Sequence, residues 1–406
     1  MKPANPLPRC QPGFVLLFST KLRADVAAFA AQAGFAPLPE PVRVTADLWR
    51  DAAEAHVLGA GFLAASRLKR KVLGRMDLAG PEHQPGHTPD HADVTLITHV
   101  AGVALWEVWL PAPAQAFDPQ AWIGWLDIDQ TDSLAAHIWA RLAPQVAQIA
   151  GAAGFGHYLP VCVLRLPDTD LDPLLDAEAL ALVRLLWRDR QERALKPSVI
   201  AAELARDTCA RVGGLSLIGR RSALDLHDRH DETAAQAAAL GIAPRSLLPF
   251  LTTVEMLCIE RAVLQGLHDR LTYTAPTTVD GLLALRADVA AGLEEYYGAT
   301  LAGTRFGDVV SVAGEEVLGI TDLFDAVIGR LDMLSFTLTT HAEQRMTLLQ
   351  FWLTVVFGAT EIGFIVSSIA TWYYDSGLAT VLAWTVGATV ISAVMLIAAL
   401  RNRLSA

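Results

Sequence analysis

Between residues 346 and 400 the chain has no Lys, Arg or His, and its acidic residues there are Glu361 and Asp375. The stretch divides at Tyr373, Tyr374, Asp375, Ser376 and Gly377 into two apolar segments, residues 346–372 and 378–400. Each exceeds the roughly 20 residues that cross a bilayer as a helix. The chain therefore reads as a large polar region ending in a transmembrane hairpin. The hairpin accounts for part of a hydrophobic content of 52%.

The first segment is not uniformly apolar. Steps of three and four residues place Thr347, Gln350, Thr354, Gly358, Glu361, Ile365 and Ser368 on one helical face. The rest of its surface carries Leu349, Phe351, Leu353, Val355, Val356, Ile362, Val366 and Ile369. A carboxyl at mid-span is expensive in lipid and marks a functional position by default. Two helices per subunit cannot enclose a path, so a pore lined by this stripe requires several copies. An acidic ring at Glu361 favours cations. The alternative is that the stripe packs against the second segment and Glu361 is a protonated structural acid.

Arg345 precedes the first segment and Arg401 and Arg403 follow the second, whereas the turn carries Asp375. The positive-inside rule places both ends in the cytoplasm of a multi-pass inner-membrane protein. Residues 346–406 contain two charges of each sign, so the net charge of −11 belongs to the first 345 residues. That balance argues against nucleic acid as a partner. Cys10, Cys162, Cys209 and Cys258 show no metal-ligand spacing and no disulfide framework.

Residues 1–230 mix both secondary structures and predict an α/β or α+β domain. Strands are expected at 13–20 and 161–166, a hairpin at 94–99 and 103–110 turning on Ala101-Gly102, and a strand or bent hairpin at 212–224. Helices are expected at 21–34, 49–73, 133–151 and 177–193, the second ending in the basic patch Arg67, Lys69, Arg70 and Lys71. Residues 231–345 read as a helical stalk, with helices at 245–271 and 278–297. A long helix at 308–345 follows, with a break at Gly319. Phe324, Val327, Leu331, Leu334 and Leu338 form a heptad seam suited to self-association, the alternative being a seam within one subunit against the preceding helices. Residues 346–406 form the hairpin.

This order of parts, the seam, the short outer turn and the arginines after the second segment resemble the CorA family of divalent-cation channels and transporters, including its zinc-transporting ZntB branch. The resemblance implies a pentamer with the first span lining the pore. The family's Gly-Met-Asn motif is absent: Trp372, Tyr373, Tyr374, Asp375, Ser376 and Gly377 stand there instead. Magnesium selectivity is therefore not implied. Tyr373, Tyr374 and Asp375 form the expected outer mouth, with Asp375 as a cation-collecting group.

A second constellation is Asp225, His227, Asp228, His230 and Asp231, where carboxylates and imidazoles alternate as in a divalent-cation site. A polar interdomain loop explains it more simply. No phosphate loop, zinc-protease motif or nucleophile elbow occurs, so no enzyme and no cofactor beyond a cation are expected. The expected function is an oligomeric cation channel or transporter. The alternative is a cytoplasmic sensor or effector tethered by its hairpin.

Overall fold

The computed structural model describes residues 9–23, 35–58, 68–78, 88–191, 194–274, 276, 278, 280–287, 305–374 and 378–404. Its N-terminal part is built on one eight-stranded sheet. The strands are β1 (Arg9–Lys21), β2 (Leu68–Asp77), β3 (His91–His99), β4 (Val103–Pro111), β5 (Gln115–Ala116), β6 (His157–Arg165), β7 (Gly214–Ile218) and β8 (Ala223–His227). The order is β2-β3-β4-β1-β6-β8-β7, with β5 paired to β1. All neighbours are antiparallel except β6 and β8.

Strand β1 is central and is buried from Pro12 to Thr20, because helices cover both faces of the sheet. Its even positions Phe14, Leu16 and Phe18 join Trp106, Trp122, Ile138 and Leu142 in one core. That face is covered by α2 (Pro119–Trp125), α3 (Leu134–Ala150) and α4 (Leu171–Trp187). Ser133 caps α3 by accepting a hydrogen bond from the Ala136 amide at 3.0 Å, and Gly151 ends it in the left-handed conformation. Across the other face, against β1, β4 and β6, runs α7 (Leu248–Tyr273). Helices α5 (Pro197–Leu204) and α6 (Ala234–Leu240) precede it.

Helix α7 is buried on nearly every side, including Thr252, Thr253, Glu255 and Glu260. It lies between the sheet, helix α1 (Glu40–Val57) and helix α8 (Arg305–Leu318). Leu257 of α7 occupies the space over Gly314 of α8, where an added Cβ would stand 2.3 Å from its Cδ1.

Several sequence expectations are met closely. The 94–110 hairpin turns at Gly102 with φ of 79°. The interrupted 212–224 segment is the β7–β8 hairpin. The long helix does break at Gly319, whose φ is 65°. The expected helix 49–73 is a correction. Helix α1 spans Glu40–Val57, and Lys69, Arg70 and Lys71 of the basic patch lie in β2, while Arg67 lies outside the described residues. There Lys69 and Lys71 point to solvent and Arg70 points inward, the period of two that defines a strand. At Gly74 (φ 132°) strand β2 shifts register, and Ala36 pairs with Arg75 there; an added Cβ would meet the Ala36 carbonyl at 2.4 Å. Helix 177–193 is also shifted, ending as α4 at Trp187 because Arg188 adopts a left-handed conformation. The helix expected at 21–34 falls largely outside the described residues, as does the later part of 278–297.

After Gly319 a single helix, α9 (Ile320–Tyr374), runs for 55 residues, about 80 Å. Helix α10 (Leu378–Leu404) follows. The chain divides into two compact units, residues 1–275 with 284–329 and residues 276–283 with 330–406. The sheet's unit thus continues past residue 230 to include α7, α8 and the start of α9.

Candidate functional site

The second unit ends in two helical segments long and apolar enough to cross a membrane, Met346–Ile369 and Val381–Ala398. Few or none of their residues are buried, unlike the core helix of a soluble domain. The helices pack antiparallel. An added Cβ at Gly363 would stand 2.1 Å from Thr389 Oγ1, and one at Gly358 would stand 3.2 Å from Leu396 Cδ1. Val355, Ala359 and Gly363 are buried in this contact, with Phe351, Gly358 and Val366 half-buried beside them. Small residues permit the close approach.

The polar stripe lies elsewhere. Thr347, Gln350, Thr354, Glu361, Ile365 and Ser368 are all exposed, and of the seven stripe positions Gly358 alone borders the inter-helix contact. The stripe is therefore not the glue of the hairpin. Three of its hydroxyls bond within the helix: Thr347 to the Glu343 carbonyl, Thr354 to that of Gln350 and Ser368 to that of Phe364. Such bonds satisfy the hydroxyls and leave their positions tolerable in lipid. Glu361 has no hydrogen bond or ion pair to any described residue. An isolated carboxyl on a lipid-exposed face near mid-span costs about 3 kcal/mol.

Of the expected outer mouth, Tyr373 and Tyr374 are the last residues of α9, and Asp375 lies outside the described residues. In the heptad seam, Val327 and Leu331 are already buried within the single chain, and Phe324, Leu334 and Leu338 are half-buried. Its upper positions are thus not free for a second copy. Met333 and Phe336 of the same helix are exposed instead.

The five residues expected to form a cation site are not brought together. Asp225 and Asp231 both engage the buried guanidinium of Arg165, at 2.9 and 2.8 Å. Ser216 donates to Asp225 at 2.8 Å, and His227 lies 3.5 Å from it. Burial alone would raise the Asp225 pKa; Arg165 and His227 overcome it and hold the carboxyl below its ordinary range. Ser246 bonds Asp231 and also accepts from Arg165. This is a charge-paired structural knot, with Arg165 as the cation that sequence reading missed.

Asp228 and His230 instead meet Asp170, which precedes α4; one ligand atom from each of the three lies within 4.8 Å of the others. His230 Nδ1 is 2.8 Å from Asp228 Oδ1, and Arg229 Nε is 2.8 Å from Asp170 Oδ1. Arg229 already neutralises the acid that a cation would need.

A further group of charges links α1, β2, β4 and α7. Arg70 reaches Glu54, Glu107 and Glu255 at 2.6, 2.7 and 2.5 Å. Arg50 bridges Glu255 at 3.1 Å and also contacts Glu107. Burial pushes the Glu107 pKa up to about 7, against the pull of Arg50 and Arg70. The sequence signal for this network was a glutamate inside the apolar run of β4.

No family model, no curated protein and no solved structure matches this chain.

Proposed function

We propose that the chain is an oligomeric, CorA-like cation channel or transporter of the inner membrane, with α9 lining the path and Glu361 as its selecting or gating acid. The observation that supports this reading is the exposed, partnerless Glu361 on a face that α10 leaves uncovered. In a bilayer that face must meet water or another copy of the chain, because lipid satisfies neither a carboxylate nor the Gln350 amide. Rotational assembly of several copies provides both. Thr347, Gln350, Thr354 and Ser368 then line the same wet path, and Asp375 stands at its outer end. Both termini face the cytoplasm, and the absent Gly-Met-Asn motif argues for an ion other than magnesium.

The test is cation flux into proteoliposomes by the purified protein and by Glu361→Gln. The proposal expects flux whose rate or ion preference changes in the variant. A folded, inserted protein that passes no common mono- or divalent cation would leave the hairpin a tether for a cytoplasmic sensor.

A further inference from the structure

A second site lies entirely within the sheet's unit. A cleft of about 880 Å³ opens where the end of β1, the β3–β4 turn, the loop joining α3 to β6, and α7 converge. Its volume is within the range of small-molecule sites. Lys21, Arg23, Arg261 and Arg270 line it against one carboxylate, Asp269, a formal excess of three positive charges. That excess stands out in a chain whose net charge is −11.

The cations differ in what already accounts for them. The Arg23 amide donates to the Ile149 carbonyl and its side chain passes over Gly151, so Arg23 serves the carbonyl end of α3. Asp269 accepts a hydrogen bond from Gln265 at 2.9 Å. Arg261 is different. It is half-buried on α7, and its polar partner is a ring nitrogen, His157 Nε2, at 2.7 Å. His157 is neutral: burial, then Arg261 and Arg188, lower its pKa to about 3. The imidazole therefore accepts from the guanidinium and offers no countercharge. No carboxylate pairs with Arg261 or Lys21 among the described residues. Desolvation and nearby Arg220 depress even the Arg261 pKa. A partly buried guanidinium without a carboxylate is costly to the fold.

We propose that this cleft binds a small phosphate monoester, with Arg261 as the central phosphate ligand and Lys21 as its flanking charge. Guanidinium offers paired donors matched to phosphate oxygens, and the arriving dianion supplies the missing countercharge. His157 is a positioning residue that fixes the guanidinium without neutralising it. Ala152, Gly154 and Phe155 of the loop 151–156 also line the cleft, and their amides donate to no backbone carbonyl among the described residues. Ala101, Val103, Ala262 and Val263 leave an apolar wall for the ligand's organic part. The Phe155 ring is engaged with Phe18 and Trp139, so it is not available to stack a base. The phosphate, not a nucleobase, is the recognised group. This site is independent of whether the hairpin conducts.

The experiment is a thermal-shift and calorimetric titration of the full chain in neutral detergent. The probes are inorganic phosphate, glycerol phosphate and AMP, with glycerol and adenosine as their neutral counterparts and sodium chloride at matched ionic strength. Saturable stabilisation by the phosphates alone is expected. Arg261→Gln and Lys21→Gln should each weaken the dissociation constant about tenfold or more. Arg261→Gln also loses the hydrogen bond to His157, so each variant's melting temperature without ligand is measured first and binding is read as the phosphate-induced shift above that baseline. Lys21 is exposed, so its variant reads binding even where Arg261→Gln folds poorly. No stabilisation by any phosphate, or equal stabilisation of wild type and both variants, would overturn the proposal.

Discussion

Glu260 gives a sharp test of how the sheet's unit is held together. It lies on α7, is 4% exposed and forms no hydrogen bond with a described residue. Burial, and then the nearby Glu315 of α8, push its pKa up to about 7 from an ordinary 4.5. Burial also raises the Glu315 pKa. The folded state thus keeps the Glu260 proton to higher pH than the unfolded state does. Stability from this group is full below about pH 4.5 and falls as pH rises through about 7. Once Glu260 is fully ionised the loss is about 3 kcal/mol. Glu260→Gln removes the charge and keeps the shape. Urea unfolding of both proteins across about pH 4 to 8.5 isolates the effect, because every other titrating group is common to them. The variant should match the wild type at the acidic end and exceed it by about 3 kcal/mol at the alkaline end. A difference that does not grow with pH would refute the claim that a buried, unpaired acid sits between α7 and α8.

Two further tests address packing. Arg70→Met removes the cation that three buried glutamates share and should cost about 3–5 kcal/mol, read as a lower urea midpoint with an unchanged slope. Gly363→Val should destabilise the hairpin, because its Cβ would meet Thr389 Oγ1 at 2.1 Å; Thr389→Ala in the same chain should recover part of the loss in a double-mutant cycle of thermal stability.

The elements that were legible in the sequence are those whose signal is local. Ser133 and Gly151 bracket α3, Gly102 marks a hairpin turn and Gly319 breaks the long helix. The apolar segments of the hairpin needed nothing beyond their length. Misreadings arose where tertiary partners decide. Arg70 looks like part of a solvated basic patch until Glu54, Glu107 and Glu255 converge on it from three other elements. Asp225 and Asp231 look like cation ligands until Arg165, sixty residues earlier in the chain from the first of them, arrives through the parallel pairing of β6 with β8. The same holds for the basic cleft, whose lining comes from four separated segments. The polar stripe was legible by helical spacing, but its separation from the α10 contact depends on which face, that of Val355, Ala359 and Gly363, packs on α10.

The most direct test of the central claim is thiol accessibility along α9. Single cysteines would replace Thr354, Glu361 and Ser368 on the stripe, and Phe357 and Phe364 on the neighbouring surface, with Cys209→Ser as background. A membrane-impermeant thiol reagent applied to the reconstituted protein should label the three stripe positions and leave the two phenylalanine positions unlabelled. Labelling at Glu361→Cys should also alter cation flux. Stripe cysteines as inert as those at positions 357 and 364 would show a dry face and contradict a water-filled path along α9.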